Sequence, residues 1–114
     1  MSVGGAVSGG ACEASSFRYG AVHETVSEMT VLLSNGQVIT ATPTNKYRDL
    51  FFALPNSFGS LGYILKLKVL LVPVKPYVRL RHLHFTDIKR YFEALQTIWR
   101  SNSYKNEPVD FLDG

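Results

Sequence analysis

The chain has 114 residues, of which 46% are hydrophobic and 18% are charged, and its formal net charge is +3. These values are typical of a folded globular protein and exclude an intrinsically disordered chain. A single cysteine, Cys12, excludes an intrachain disulfide. No signal-peptide pattern or membrane-spanning run is visible, so a reducing, cytoplasmic compartment is the default expectation.

The first ten residues are rich in glycine, and five of the nine glycines of the chain fall within its first twenty positions. Composition alone favours a flexible N-terminal tail in this segment. The second interpretation is a loop whose backbone comes close to a ligand, because glycine leaves free the space that a side chain would fill.

A β-hairpin is predicted for residues 28–42. Residues 28–33 and 37–42 are both strand-like, and Asn35-Gly36 lies between them. An Asn-Gly pair in this position is typical of a type I′ turn, in which both central residues have positive φ.

A short helix is predicted for residues 44–54, with Thr44 as its N-cap and Pro55 as its stop. Apolar residues recur within it at helical spacing.

A turn-rich loop over residues 56–62 is predicted to lead into a long strand over residues 63–72. In a regular strand, alternate side chains point to the same side of the sheet. Alternation therefore predicts one wholly apolar face, made of Tyr63, Leu65, Leu67, Val69 and Leu71.

Two prolines, Pro73 and Pro76, interrupt the pattern and predict a domain boundary between residues 1–75 and residues 76–114. The whole order of elements predicts an α+β fold. A partly antiparallel sheet with flanking helices comes first, and a β-α-β unit follows it.

The β-α-β unit is predicted from three patterns after the boundary. Residues 77–85 alternate like a strand, Thr86 is placed to cap a helix, and residues 109–112 resemble the start of another strand after a polar loop. The helix has an apolar stripe at spacings of three and four residues, formed by Ile88, Tyr91, Phe92, Leu95, Ile98 and Trp99.

Several common site motifs are absent from the sequence. It contains neither a P-loop nor a Gly-x-Gly-x-x-Gly fingerprint. His82 and His84 would share one face of a strand, as a metal pair does, but no third ligand is evident. The sequence therefore predicts no metal site. The basic residues form no evident patch, so no nucleic-acid partner is predicted either.

Four motifs stand in the order found in the vanillyl-alcohol-oxidase or PCMH-type family of FAD-linked oxidases, which this chain resembles. The first is one segment that contains Val3-Gly4-Gly5, Gly9-Gly10 and Ser15-Ser16-Phe17-Arg18-Tyr19-Gly20, and the second is the strand, Asn-Gly turn and strand of residues 29–42. The third and fourth are Asp49-Leu50-Phe51-Phe52-Ala53-Leu54-Pro55 and Gly59-Ser60-Leu61-Gly62-Tyr63-Ile64. Within that family, residues 12–16, 75–80 and 109–114 are most similar to the Δ24-sterol reductase branch.

The resemblance implies that residues 1–75 are the C-terminal half of an FAD-binding domain and that residues 76–114 begin a substrate domain. It implies FAD as cofactor, and it makes the chain a fragment of an FAD-dependent oxidoreductase that is inactive alone. No residue receives a catalytic role. The residues implied to contact the cofactor are Val3, Gly4, Gly5, Gly9, Gly10, Glu13, Ser15, Ser16, Gly62, Tyr63 and Ile64.

Two other functions stay open on the sequence. One is a different FAD-linked oxidase, which acts on hydroxy acids or sugar lactones. The other is a non-enzymatic interaction module or a decayed remnant of an enzyme. For the isolated chain we also expect self-association, because the apolar face of the predicted helix and the open strand edges need a cover.

Overall fold

The computed structural model describes residues 2–114. Its contacts divide the chain into two compact units, Met1–Leu71 and Val72–Gly114. The first unit contains a three-stranded sheet with short helices, and the second contains one long helix and a small hairpin. The α+β class predicted from the sequence is confirmed.

The sheet of the first unit is antiparallel throughout. It consists of β1 (Val26–Leu32), β2 (Val38–Ala41) and β3 (Tyr63–Val69), in the order β2-β1-β3. The central strand β1 is therefore paired on both sides, and Val31 lies opposite both Ile39 and Ile64.

The predicted hairpin between β1 and β2 is confirmed, but its predicted turn type is wrong. Gly36 N–H donates to the carbonyl of Leu33, and Leu33 N–H donates to the carbonyl of Gln37. Of the three turn residues, only Gly36 has positive φ, at 83°. This geometry is a type I turn followed by a glycine bulge, the usual form of a three-residue hairpin loop, and it leaves Asn35 in an unstrained conformation.

The predicted apolar face of β3 is wrong because the strand contains a bulge. Thr30 is paired with Lys66 and Val31 with Ile64, so Leu65 has no residue opposite it on β1. An extra residue of this kind reverses the alternation of side chains beyond it. As a result, Ile64 packs against the core together with Leu67, whereas Leu65 is 56% exposed.

The glycine-rich start of the chain is neither the flexible tail that composition favours nor the loop of the second interpretation. It forms α1 (Val3–Ser8), in which the side chain of Ser2 accepts a hydrogen bond from Gly5 N–H. The helix ends in a Schellman motif, because Ala11 N–H donates to the carbonyl of Ala6 and Gly10 has φ of 67°. Burial of Ala6 and Val7 anchors this helix, despite its low intrinsic helix propensity.

Short elements follow on both sides of the β1–β2 hairpin. They are α2 (Ser16–Tyr19), a 3₁₀ helix (Val22–Thr25) and α3 (Arg48–Ala53). Helix α3 begins later than the predicted residue 44. The side-chain amide nitrogen of Asn45 donates a hydrogen bond to the carbonyl of Thr40, and its amide oxygen accepts hydrogen bonds from the N–H groups of Thr42 and Tyr47. These bonds hold the residues before α3 in a turn.

The core of the first unit lies between the sheet and the short helices. Met29 and Val31 of β1 are fully buried at its centre. The buried residues of this cluster are Val7, Val26, Met29, Val31, Ile39, Ala41, Phe51 and Leu54.

The second unit contains α4 (Ile88–Ser101), β4 (Ser103–Tyr104) and β5 (Glu107–Pro108). The predicted helix is confirmed, but its N-cap is Asp87 rather than Thr86, because the Asp87 carboxylate accepts a hydrogen bond from Lys89 N–H at 2.8 Å.

The β-α-β pattern predicted for the second unit is wrong. Residues 77–85 and 109–112 form no strand, and the predicted polar loop instead contains the β4–β5 hairpin. A strand requires a neighbour to complete its hydrogen bonds, and within residues 2–114 no backbone hydrogen bond joins residues 77–85 to another segment.

Across residues 2–114, no helix combines the length and apolar character needed to cross a membrane. In the same residues, no three or more His, Cys, Asp or Glu side chains are grouped so that they could hold a metal ion.

Candidate functional site

The glycine-rich helix α1 and the entry into β3, which the sequence predicts to share one site, lie side by side. Phe58 N–H donates a 2.9 Å hydrogen bond to the carbonyl of Ser8 at the end of α1. A side chain added at Gly4 would begin 3.9 Å from the carbonyl oxygen of Ile64. Two segments fifty to sixty residues apart in sequence are thus brought together.

Among the glycines of this site, Gly4 and Gly9 leave the backbone of α1 and its C-terminal end uncovered by side chains. The first atom of a side chain at Gly9 would lie 3.0 Å from the carbonyl of Gly5 and 4.0 Å from the ring of Phe58. Gly5 is exposed, and a side chain there would begin 3.0 Å from the Ser2 hydroxyl.

Two predicted cofactor glycines have a structural reason to be glycine. Gly10 has positive φ because it ends α1. Gly62 has φ of 151°, and a side chain there would begin 2.8 Å from Cγ1 of Val31 and 2.9 Å from the carbonyl of Leu32. Both glycines are needed for the local fold, whether or not a ligand is present.

The predicted residues Glu13, Ser15 and Ser16 form a separate turn. Glu13 N–H donates to the Ser16 hydroxyl at 2.8 Å, and Ser16 N–H donates to the carbonyl of Glu13 at the same distance. The Glu13 side chain is exposed, and both serines are half-buried. Within residues 2–114, no hydrogen bond links this turn to α1 or to β3.

Sequence reasoning missed Phe58, an aromatic residue beside the glycines, whereas Tyr63 was already expected to contact the cofactor. The side chain of Phe58 is 78% exposed, and that of Tyr63 is 69% exposed. The Tyr63 ring lies 3.7 Å from the point where a side chain at Gly59 would begin. The available signal was Phe58, an aromatic residue within a glycine- and serine-rich loop, since exposed rings are typical of surfaces that stack on planar ligands.

Two buried polar atoms close to this surface have no hydrogen-bond partner among the described residues. They are Nδ1 of His23 and the hydroxyl of Ser57. His23 belongs to the 3₁₀ helix, which packs against α1, and Ser57 directly precedes Phe58. Buried polar groups are normally paired, so both mark a place where water or a polar ligand would complete the structure.

The arrangement combines two properties that a dinucleotide needs. Small residues on α1 allow close approach of a pyrophosphate or a flat ring, and the exposed rings of Phe58 and Tyr63 offer apolar faces for stacking. This chemistry fits FAD, whose two ring systems are planar and whose centre is a pyrophosphate.

Comparison with known proteins agrees with this chemistry. A family model described as an FAD binding domain matches residues 1–42. The Δ24-sterol reductase of Pisum sativum is 39% identical over 82 residues, which are 72% of this chain and 14% of that protein.

Two relatives from Arabidopsis thaliana match along the whole chain. A Δ24-sterol reductase is 37% identical over 119 aligned residues, and cytokinin dehydrogenase 3 is 30% identical over 118. Each alignment covers 100% of this chain and 21% of the relative. The chain thus spans about a fifth or less of the length of these relatives.

The resemblance inferred from the sequence motifs is confirmed by these matches, as is FAD as the cofactor of the family. The family model is an FAD-binding domain, and the relatives are oxidoreductases that include sterol reductases from several organisms. The chain is therefore similar along its whole length to FAD-linked oxidases of the PCMH type, and its sequence is sterol reductase-like.

Proposed function

We propose that this chain forms part of the FAD-binding site of an oxidoreductase of the sterol reductase type. The observation that carries the proposal is the contact between α1 and the entry into β3, at which Gly4 lies beside the Ile64 carbonyl. Small residues and main-chain groups meet there, and the exposed rings of Phe58 and Tyr63 flank them.

The residues have different roles in this proposal. Val3, Gly4, Gly5 and Gly9 present the surface of α1 to the cofactor, and the main chain of Tyr63 and Ile64 holds it from the sheet. Gly10 and Gly62 act indirectly, because they fix the end of α1 and the packing of β3 on β1.

The turn of Glu13, Ser15 and Ser16 has a supporting role in this proposal. Two 2.8 Å hydrogen bonds join Glu13 and Ser16 and close the turn on itself. We place it at the periphery of the cofactor, where its role is to hold the chain between α1 and α2.

When bound, the flavin supplies the redox chemistry, and the protein supplies position and electrostatics. We propose that this chain alone is inactive. The Arabidopsis thaliana sterol reductase is about five times as long as its aligned region, so most of its residues have no counterpart in these 114 residues.

A second substrate class has support from the comparisons. The match to cytokinin dehydrogenase 3 extends over the whole chain at 30% identity, against 37% for the sterol reductase of the same plant. Because the two sequence identities differ by only seven percentage points, the second candidate function is oxidation of a substrate other than a sterol.

The test is FAD binding to the purified chain, measured by flavin fluorescence and by calorimetry. Gly4→Leu would place a bulky side chain on the proposed cofactor surface, while Ala53→Leu makes a matched change on the exposed end of α3. We expect a dissociation constant below about 10 μM for the unchanged chain and for Ala53→Leu, and at least about tenfold weaker binding for Gly4→Leu.

Two results would contradict the proposal. One is a folded chain, with normal circular dichroism, that does not bind FAD. The other is equal binding by Gly4→Leu and Ala53→Leu, which would place the cofactor away from α1.

A further inference from the structure

Two buried polar atoms that have no hydrogen-bond partner among the described residues adjoin the C-terminal end of α1. The first is Nδ1 of His23. The residue before it, Val22, donates its N–H to the carbonyl of Ala11 at 3.2 Å, and the 3₁₀ helix that contains both residues packs against α1. His23 therefore directly follows a main-chain contact with the segment that ends α1.

The second atom is the hydroxyl of Ser57, in the loop before β3. This loop contacts the same end of α1 through both neighbours of the serine. Phe58 donates its N–H to the carbonyl of Ser8 at 2.9 Å. The Cβ atom of Asn56 lies 3.1 Å from the point where a side chain at Gly10 would begin. Both unpaired atoms are thus carried by segments that meet at one place on the first unit.

Main-chain hydrogen bonds hold both residues in position. Ser57 N–H donates to the carbonyl of Leu54 at 3.1 Å, and the Ser57 carbonyl accepts the hydroxyl and the N–H of Ser60 at 2.7 and 3.0 Å. The carbonyl of His23 accepts the N–H of Val26. Because their backbones are already fixed, these residues would lose little freedom when a ligand binds, which favours affinity.

The charge at this end of α1 favours an uncharged ligand group. Four main-chain N–H groups close the end of the helix, and their acceptors are the carbonyls of Gly5, Ala6, Val7 and Ser8. Within Val3–Ser8, the last turn contains no basic residue. A helix C-terminus carries negative partial charge and repels an anion. A group that binds His23 and Ser57 here is therefore polar and uncharged, and not a phosphate.

A sugar hydroxyl has the hydrogen-bonding capacity that the two atoms require. A serine hydroxyl can donate or accept, and a neutral imidazole nitrogen does either according to its tautomer. A hydroxyl of the ligand has the same double capacity, so it pairs with both atoms in either tautomer. Its binding would remove the cost of two buried polar groups without partners.

From these observations we infer that Nδ1 of His23 and the hydroxyl of Ser57 bind hydroxyl groups of FAD. FAD carries such groups in two places, the ribityl chain beside its flavin ring and the ribose beside its adenine. The inference rests on the proposed function, because it takes FAD to bind beside α1. It adds two side-chain contacts to a site otherwise made of glycines, main-chain groups and exposed rings.

A structural water is the alternative partner of the two atoms, and it predicts a different result for the chain without cofactor. If a structural water binds Ser57, Ser57→Ala breaks a hydrogen bond of the folded chain and destabilises it. If the partner is FAD, the hydroxyl contributes nothing to the cofactor-free chain, and Ser57→Ala leaves its stability unchanged or raises it.

The test uses the full 114-residue chain, titrated with FAD by calorimetry and unfolded in urea without cofactor. Ser57→Ala removes the hydroxyl alone. His23→Leu removes Nδ1, whereas His23→Asn puts an amide atom in its place. The matched controls are Ser34→Ala in the hairpin turn and His82→Leu in the second unit, both at exposed positions. Circular dichroism verifies that each variant is folded.

We expect Ser57→Ala and His23→Leu each to weaken FAD binding by about threefold to tenfold, which is the effect of one lost neutral hydrogen bond. His23→Asn should recover most of the loss, and both controls should bind like the unchanged chain. The urea midpoint of Ser57→Ala without cofactor should be unchanged or higher. FMN carries only the ribityl hydroxyls and ADP only those of ribose, so the ligand whose affinity falls in Ser57→Ala identifies which hydroxyls are bound.

Two results would overturn the inference and leave the proposed function intact. One is FAD binding by Ser57→Ala and His23→Leu that equals binding by the controls, while Gly4→Leu still weakens it. The other is a lower urea midpoint for cofactor-free Ser57→Ala with unchanged FAD affinity, which would identify a structural water. Absence of FAD binding by the unchanged chain would instead remove the proposed function and this inference together.

Discussion

Gly62 lies where the chain enters β3, and its surroundings leave no room for a side chain. With φ of 151° and neighbours at 2.8 and 2.9 Å, an alanine there would be strained in its backbone and would collide with Val31 and with the Leu32 carbonyl. We expect Gly62→Ala to lower the free energy of unfolding by about 2–4 kcal/mol, measured by urea denaturation.

Gly36 is the control that separates backbone strain from steric collision. Its φ is 83°, and a side chain at this position would meet nothing within 4 Å. Gly36→Ala should therefore cost only the strain of the left-handed conformation, about 1 kcal/mol. If the two substitutions cost the same, Gly62 is not in close contact with β1.

At the scale of residues, the sequence motifs identified Gly62 but not its reason. A cofactor that approaches the backbone and a strand that packs closely on its neighbour both demand glycine, and one sequence cannot separate the two causes. Gly10 is a second example, because its positive φ ends α1. At Gly9 a side chain would begin only 3.0 Å from the carbonyl of Gly5, which is again a local reason for glycine. Gly4 has neither a positive φ nor a contact closer than 3.9 Å, so the predicted ligand approach is the interpretation of that position.

At the scale of elements, the start of α4 distinguishes two neighbouring residues. The sequence predicted Thr86 as the N-cap, but the hydrogen bond to Lys89 N–H comes from Asp87. We expect Asp87→Ala to destabilise the second unit by about 1 kcal/mol, because it leaves an N–H group of the first helical turn without its partner. Thr86→Ala should have almost no effect, and Trp99 fluorescence during urea unfolding can follow both variants.

The bulge in β3 makes a second prediction at this scale. Leu67 lies opposite the fully buried Met29 and packs on the core, whereas Leu65 has no partner on β1. We expect Leu65→Lys to change the free energy of unfolding by no more than about 0.5 kcal/mol. Leu67→Lys should lower it by about 2 kcal/mol, because a charge would be brought to the edge of the core. Both variants can be compared by thermal and urea unfolding. If Leu65→Lys and Leu67→Lys lowered the free energy of unfolding equally, the side chains of β3 would alternate regularly and the strand would contain no bulge.

Local patterns predicted those elements whose cause is local. The β1–β2 hairpin and α4 are confirmed because turn residues and helical spacing act over a few positions. The turn type, the bulge and the missing strand at residues 77–85 depend on what lies opposite. A sequence alone does not say which residue will be a partner, so these features could not be predicted from it.

At the scale of the whole molecule, apolar burial is unequal between the two units. The first unit contains a cluster of eight buried hydrophobic residues, whereas the second has Ala94 and Ile98. Since burial of apolar surface is the main source of stability, we expect the first unit to be the more stable of the two. The amides of β1 should then exchange only through complete unfolding of that unit, and those of α4 through smaller openings.

The difference in stability between the two units allows hydrogen exchange in the presence of FAD to test where the cofactor binds. A ligand that binds only the folded unit stabilises it by about 2.7 kcal/mol at one hundred times its dissociation constant. If FAD binds at α1 and the entry into β3, the amides of Thr30 and Val31 should exchange about a hundredfold more slowly, because their exchange requires that unit to unfold. The amides of α4 should keep their rates. Slower exchange in α4 with no change in β1 would instead locate the cofactor in residues 72–114 and would contradict the site derived from Gly4 and Ile64.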